Sequence, residues 1–271
     1  MAVEPEIIEH YESNYDEASR LFEGAGRLER LRTQAVIERH LTAPAQRILD
    51  IGGGTGVYAS WLVGLGHEVR LIDPVPRHVA AARAAGVEAE QGATGALDHL
   101  RDGQADLVLL LGPLYHLVDP HDRAIALAEA RRLLRPGGHL IAAGISRFAS
   151  MQDGLSRRIL RDRRFDEIVL NGLATGEHRN PTNIEGRFTT AFFHHPDQLR
   201  DEVASAGFAD VTLIGVEGIV GWLTEIDDRL DDPAERDVTL AMLARVESEP
   251  TLLGVSSHLL AIGAVPRRDD Q

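Results

Sequence analysis

No cysteine occurs in the 271 residues. Disulfides, thiolate metal sites and a cysteine nucleophile are therefore excluded. No apolar run approaches the ~20 residues that a bilayer-crossing helix needs. The first residues, MAVEPEIIEHYE, are acidic and lack the basic and apolar regions of a secretory signal. There is no repeat, low-complexity segment or Gly/Ser linker. Basic charge is short as well: 28 Lys and Arg face 42 Asp and Glu, a formal charge of -14. Polyanions are repelled on average, so nucleic acid is not an expected partner. The one basic run, RRILRDRR at 157–164, reads as a solvated helix face. A cytoplasmic protein with no membrane partner is expected.

What is present is a 44% hydrophobic content, enough for a globular core. The length suits one large domain. Residues 1–46 read as a helical cover: Leu21, Leu28, Leu31, Ala35 and Leu41 recur at helical spacing, and Pro44 stops them. From Arg47 strands and helices alternate. RILDIG, HEVRLID, VEAEQG, ADLVLLLG and GHLIAAGI read as strands, separated by amphipathic helices that end in Gly or Pro. Two late strands, ADVTLIGVEG and HLLAIGAV, bring the total to seven. The order predicts an α/β fold, Rossmann-like, with a seven-stranded mostly parallel sheet and helices on both faces. Within a single domain over 1–271, residues 47–145 form the core and 191–271 complete it. Residues 146–190, polar and rich in Arg, read as an inserted helical cap.

The densest signal is RILDIGGGTGVYASWL, residues 47–62. An apolar strand ends at Asp50, and Gly52, Gly53, Gly54 and Gly56 follow before a helix begins. Such glycines permit a tight turn and close approach of a ligand to the backbone. Dinucleotide folds place G-x-G-x-x-G here, so that a helix N-terminus meets a pyrophosphate. Gly52, Gly54 and Gly56 are spaced G-x-G-x-G instead, and a frame from Gly53 would need glycine where Thr55 and Tyr58 stand. A P-loop needs Gly-Lys-Ser/Thr, and no Lys is present.

LDIGGGTG resembles motif I, D/E-x-G-x-G-x-G, of the class I S-adenosylmethionine-dependent methyltransferases. Asp73 ends the second strand 17 residues after Gly56, as in that family. DLVLLLGPLYHL (106–117) resembles its fourth-strand motif, and LLRPGGHLIA (133–142) is similar to its L-x-P-G-G turn. The GPLYHL variant looks like a bacterial subgroup of small-molecule type. The resemblance covers residues 30–145, and the late strands more loosely. It implies methyl transfer from S-adenosyl-L-methionine, leaving S-adenosyl-L-homocysteine, to an O or N atom of a small molecule, by a monomer or homodimer. It places Gly52, Gly54 and Gly56 against the methionine part, with Asp50 orienting that loop and the bound amino group. Asp73 would hold the ribose hydroxyls and Leu111 would flank the cofactor. EQGATGAL matches the loop after the third strand, with Ala93 where the family often has Asp. Backbone groups of Ala93 and Thr94, with Leu97 against the ring, then serve the adenine. Arg32 is expected at the cofactor carboxylate, with Tyr11 and Tyr15 closing over the site.

The sulfonium already activates the methyl group, so the protein's tasks are alignment and exclusion of water. A base is needed only where the acceptor must lose a proton. GPLYHL follows the fourth strand at the carboxyl edge, where open α/β sheets bind ligands. His116 and Tyr15 are the catalytic candidates, and Tyr115 faces the acceptor. In RFTTAFFHHPDQL (187–199), Phe188, Phe193 and His194 are expected to wall the acceptor pocket. Arg147 and His178 are candidates for an anionic acceptor. No metal site is expected, because the adjacent His194 and His195 point apart. Enzymes that methylate base amino groups tend to carry Asp/Asn/Ser-Pro-Pro-Tyr/Phe where this chain has Gly112-Pro113-Leu114-Tyr115. The alternatives left open are an NAD(P)-dependent oxidoreductase, disfavoured by the glycine spacing, a non-catalytic S-adenosylmethionine-binding protein, and an RNA methyltransferase.

Overall fold

The computed structural model describes residues 5–13, 17–180 and 188–267. The N-terminal cover is broken into α1 (Pro5–Ser13), α2 (Glu17–Arg20) and α3 (Gly24–Glu38). The break has a steric cause. A Cβ on Gly26 would overlap the carbonyl of Arg20, so the end of α2 crosses the start of α3 where only glycine fits.

The sheet begins with β1 (Arg47–Ile51), followed by α4 (Val57–Gly64), β2 (Glu68–Asp73), α5 (Pro76–Ala84) and β3 (Glu88–Gln91). Next come β4 (Ala105–Leu110), the single turn α6 (Pro113–His116), α7 (Pro120–Leu133) and the long β5 (Leu134–Ser146). These five strands pair in parallel in the order β3-β2-β1-β4-β5. Alternation along β4 divides the interior in two. Leu107 and Leu109 face α3, α4 and α5 through Val36, Leu62 and Ala82. Val108 and Leu110 face α7 through Ala126, Leu127 and Ala130. A continuous apolar run is what a strand covered on both faces requires.

The inserted stretch holds α8 (Ala149–Ser156), α9 (Arg163–Thr175) and the short β6 (Glu177–His178). After it come β7 (Ala191–His194), α10 (Pro196–Ser205), β8 (Ala209–Gly215), α11 (Ile226–Asp231), α12 (Pro233–Val246) and β9 (His258–Ala264). β9 runs antiparallel between β5 and β8, so the main layer is β3-β2-β1-β4-β5-β9-β8. That layer has the expected seven strands. Among the described residues the sheet has nine, because β6 and β7 form a small extension paired to the end of β5 at Ile145 and Ser146. Both added strands are too short to show a period-2 pattern. Helices α11 and α12 roof α3 through Leu28, Ile226, Leu230 and Leu243. Among the described residues no helix is long and apolar enough to cross a membrane.

Candidate functional site

The carboxyl ends of β1, β2, β4 and β5 open into one cavity of about 1260 Å³, its mouth included, closed above by α1 and α3. On one side lies the glycine loop. Gly52 and Gly54 adopt φ of +70° and +57°, which exclude most side chains. A Cβ on Gly52 would come 2.6 Å from Pro113, and one on Gly53 2.5 Å from Asp50 Oδ2, whereas Gly54 faces open space. The loop is tied down by Gly52 N donating to the Ile72 carbonyl (2.7 Å) and Gly54 N donating to Asp73 Oδ2 (2.9 Å). Asp73 Oδ1 accepts from Val75 N (2.9 Å) and lies 3.1 Å from His78 Nδ1.

Asp50 is the anomaly of this half. Its carboxyl is buried and neither oxygen has a hydrogen-bond partner. Burial, and secondly the charge of Asp73, push its pKa up to about 7. An unsatisfied buried carboxylate at a cavity wall is costly, and a cation or donor arriving there would relieve it.

Tyr11, Ala93, Thr94, Leu111, Tyr115 and His116 all line the cavity. Tyr11 on α1 donates its hydroxyl to His116 Nε2 (2.9 Å), and His116 Nδ1 faces the Thr190 carbonyl at 3.4 Å. These partners select the Nδ1–H tautomer. Burial lowers the pKa of His116 to about 4, so the ring is neutral at pH 7. Phe188 stacks on it at 5.7 Å.

Several expected residues lie elsewhere. Arg32 is buried beside the cavity: Nε donates to the Val216 carbonyl (3.2 Å) and the guanidinium pairs with Glu247, which Arg39 also holds. The arginine that does line the cavity is Arg20. Gly56 caps α4 at φ +83°, and its missing Cβ lets α4 approach Ala82 of α5. Leu97 is fully buried in the core with Ile72 and Val108, below the loop that Arg132 fastens through the Leu97 carbonyl. Arg147, His178, Phe193 and His194 form a brace behind the cavity. Strand alternation in β7 sends Phe193 to stack on His178 (4.9 Å) and His194 to Glu202 (3.3 Å). Arg147 donates to the Phe193 carbonyl (2.8 Å), and Arg123 lies 3.9 Å over the Phe192 ring. Tyr15 falls outside the described residues.

The remaining wall was not anticipated from the sequence. Arg20 forks onto Glu29, with Thr33, Tyr58, Val216, His258 and Leu260 around them. His258 Nδ1 lies 2.5 Å from Glu217 Oε1 and 3.6 Å from Glu29 Oε2. Glu217 Oε2 accepts from Ser256 Oγ (2.7 Å) and from His258 N (3.0 Å). Burial alone would lower the pKa of His258, but the Glu29 and Glu217 carboxylates outweigh it and push it up to about 9. One ligand-type atom from each of Glu29, Glu217 and His258 falls within 4.8 Å of the others. Their partners make this an ion-pair network: Arg20 takes Glu29, and the ring proton lies between His258 and Glu217. Four segments far apart in sequence build this wall, so no local spacing reveals it. His78, in the first turn of α5 five residues after Asp73, is the one added residue that lies close in sequence to an expected one.

A methyltransferase-domain family model matches residues 49–142. An uncharacterized methyltransferase of Mycobacterium tuberculosis is 39% identical over 102 residues, 37% of this chain and 40% of that one. The match thus spans less than half the length of that relative. The ubiquinone biosynthesis O-methyltransferase of Cereibacter sphaeroides is 29% identical over 209 residues, 72% of this chain and 75% of that one. In fold, the chain resembles an S-adenosylmethionine-dependent methyltransferase from Archaeoglobus fulgidus (TM-score 0.58, 16% identity, 93% of this chain and 100% of that one). It also resembles a possible histamine N-methyltransferase from Thermotoga maritima (TM-score 0.53, 20% identity, 92% and 95%). The stretch matched by the domain model is the one that carries Asp50, the glycine loop and Asp73.

Proposed function

We propose that the protein is a cytoplasmic enzyme that transfers a methyl group from S-adenosylmethionine to an oxygen or nitrogen of a small molecule. The observation that carries this reading is the buried, unpartnered carboxylate of Asp50 beside the open face of Gly54. The residues fit the cofactor. Asp50 would meet its ammonium group, and Asp73 Oδ2, which accepts only from Gly54 N, keeps a lone pair for a ribose hydroxyl, while Oδ1 is held by Val75 N and His78. Arg32, expected at the cofactor carboxylate, is engaged by Glu247 instead, and the fork of Arg20 is taken by Glu29. Ala93 and Thr94 flank the adenine, and the Tyr11–His116 pair closes that side. Phosphate would be repelled by Asp50 and Asp73. When bound, the cofactor supplies a methyl group already activated by its sulfonium. The chain's contribution is to hold the acceptor in line and keep water out.

Calorimetry tests the reading directly. S-adenosylmethionine and S-adenosylhomocysteine should bind, NADH should not, and Asp73→Ala should weaken binding at least about tenfold by removing charge-assisted contacts. Unchanged affinity in Asp73→Ala would refute the assignment.

A further inference from the structure

The cavity has an inner end that the cofactor's needs leave unexplained. His258 opens β9 opposite Ile145 of β5, and Leu260 lies opposite Ala143, with Ala143, His258 and Leu260 all on the cavity wall. Between the glycine-loop strand β1 and β9 stand β4 and β5. At ~4.8 Å per strand that is about 14 Å of sheet edge, room for a ring-sized acceptor beside a cofactor. The walls there are apolar or aromatic: Leu21, Val57, Tyr58, Tyr115, Val216 and Leu260. An anionic acceptor would find Arg20 already forked onto Glu29, and an ammonium would find Glu29 and Glu217 already paired. A neutral acceptor with a proton to give suits this wall.

His258 has the construction of a proton acceptor. Its Nδ1 is held by Glu217, whose other oxygen is fixed by Ser256 and the His258 amide. A base whose far nitrogen is oriented by a carboxylate is the arrangement that fixes an imidazole for proton transfer. Its Nε2 makes no hydrogen bond to a described residue, and the side chain is 22% exposed, on the cavity wall. His116 differs, because both its nitrogens face protein partners.

We propose that His258, oriented by Glu217, accepts the proton of a phenol-type hydroxyl acceptor bound between Tyr58, Tyr115 and Leu260. This rests on the methyl-transfer reading above. As the acceptor oxygen bonds to the methyl carbon, its O–H proton passes to His258 Nε2. The electron pair of the broken carbon–sulfur bond stays on sulfur, which becomes neutral. The positive charge reappears on the imidazolium, between Glu217 and Glu29, and is shed to water. His258 is a catalytic residue in this scheme and Glu217 a positioning residue. The groups facing the ring are Glu29 from α3, Glu217 after β8, and Arg20 from α2. With its pKa near 9, the neutral ring is the minor form at pH 7. Transfer should therefore quicken about 50-fold between pH 7 and pH 9, following the neutral fraction.

The test uses the full chain loaded with S-adenosylhomocysteine, with 4-nitrophenol as probe, because its absorbance reports its own ionisation. In the wild type the bound probe should show its phenolate band about one pH unit or more below the free probe, because the imidazolium of His258 stabilises the phenolate beside it. His258→Gln should abolish the shift. Glu217→Gln keeps the shape and the bond to Ser256, and should shrink the shift by removing the charge behind the ring. In both variants S-adenosylhomocysteine affinity should stay within about twofold, since neither side chain is assigned to the cofactor. A probe that does not bind, that ionises as it does in free solution, or that keeps its shift in His258→Gln overturns the proposal. Failure of S-adenosylhomocysteine to bind the wild type sinks the methyl-transfer reading itself. Binding of S-adenosylhomocysteine without the shift sinks only the role of His258.

Discussion

Replacing Asp50 with Asn should stabilise the ligand-free protein and weaken its hold on the cofactor. The carboxyl is fully buried and its pKa rises from 3.8 to about 7, by burial first and Asp73 second. At about 1.4 kcal/mol per pH unit, ionising it inside the fold costs roughly 4 kcal/mol. The unfolded chain ionises near 3.8, whereas the folded chain does so only near 7. The stability tied to the protonated form is thus complete below pH 3.8 and is lost as pH rises to 7. An amide side chain cannot ionise, but it inherits the unpartnered site, at about 1–3 kcal/mol. The net gain at pH 8 is about 2 kcal/mol, or about 4–8 °C in melting temperature for a chain of this size. Near pH 4 the sign should reverse, because the folded carboxyl is then protonated and only the penalty of the unpartnered amide is left. S-adenosylhomocysteine affinity should move the other way, falling about 10- to 100-fold with the loss of a charge-assisted bond. In the wild type that affinity should rise up to about tenfold per pH unit below 7 and flatten above it, while Asp50→Asn removes the slope. Differential scanning calorimetry of the ligand-free forms and titration calorimetry with S-adenosylhomocysteine measure both arms. A variant that melts below the wild type at pH 8, yet binds S-adenosylhomocysteine as tightly, would refute the reasoning.

Leu97→Ala should cost about 2–5 kcal/mol in chemical denaturation, because it empties a core position. Its S-adenosylhomocysteine affinity should change less than about threefold, since the side chain does not line the cavity; a large affinity loss without destabilisation would restore it to the adenine site. Arg20→Ala should cost about 3 kcal/mol by leaving Glu29 without its main partner, and Arg20→Lys should recover only part of it, because the fork is lost. Urea melts of the two variants side by side would show this, and equal stability of all three proteins would refute it.

The parts of the site that one continuous segment encodes were legible in the sequence. The glycine spacing, Asp50 and Asp73 lie within 24 residues and are joined by one helix, so the chain order fixes their geometry. The seven strands of the main layer were legible because β1, β4 and β5 are apolar runs with clear stops. Arg32 was misplaced by one side of a helix. Position along α3 is readable, but whether its face meets the cavity or Glu247 depends on where Val246 and its neighbours return. Leu97 was misplaced because burial in a core and contact with an aromatic ring demand the same residue type. Phe192 to His195 gave an aromatic and histidine cluster without the strand. Four residues of β7 show too little alternation to tell which two point at Arg123 and Arg147.

The inner wall of the cavity raises a question that stability does not answer. Arg20 and His258 are balanced by Glu29 and Glu217, so the net charge is near zero while four desolvation costs remain. Well-packed apolar groups in place of buried ion pairs are often as stable or more so. The one structural task visible here is bracing the end of β8 against the start of β9 through Glu217, Ser256 and the His258 amide. That brace needs an acceptor atom at position 217, and a neutral Gln supplies one. What Gln cannot do is raise the basicity of the His258 ring. A carboxylate at 217 is therefore more than the fold requires, and the excess acts on the one ring nitrogen that faces the cavity without a protein partner. If Glu217→Gln leaves the melting temperature within about 4 °C, the span of ~1–2 kcal/mol, while the His258 resonance titrates well below 9 by nuclear magnetic resonance, charge and brace are separate functions of the same side chain. If instead the fold collapses, the carboxylate is there for the strands, and the proton-accepting role loses its main support.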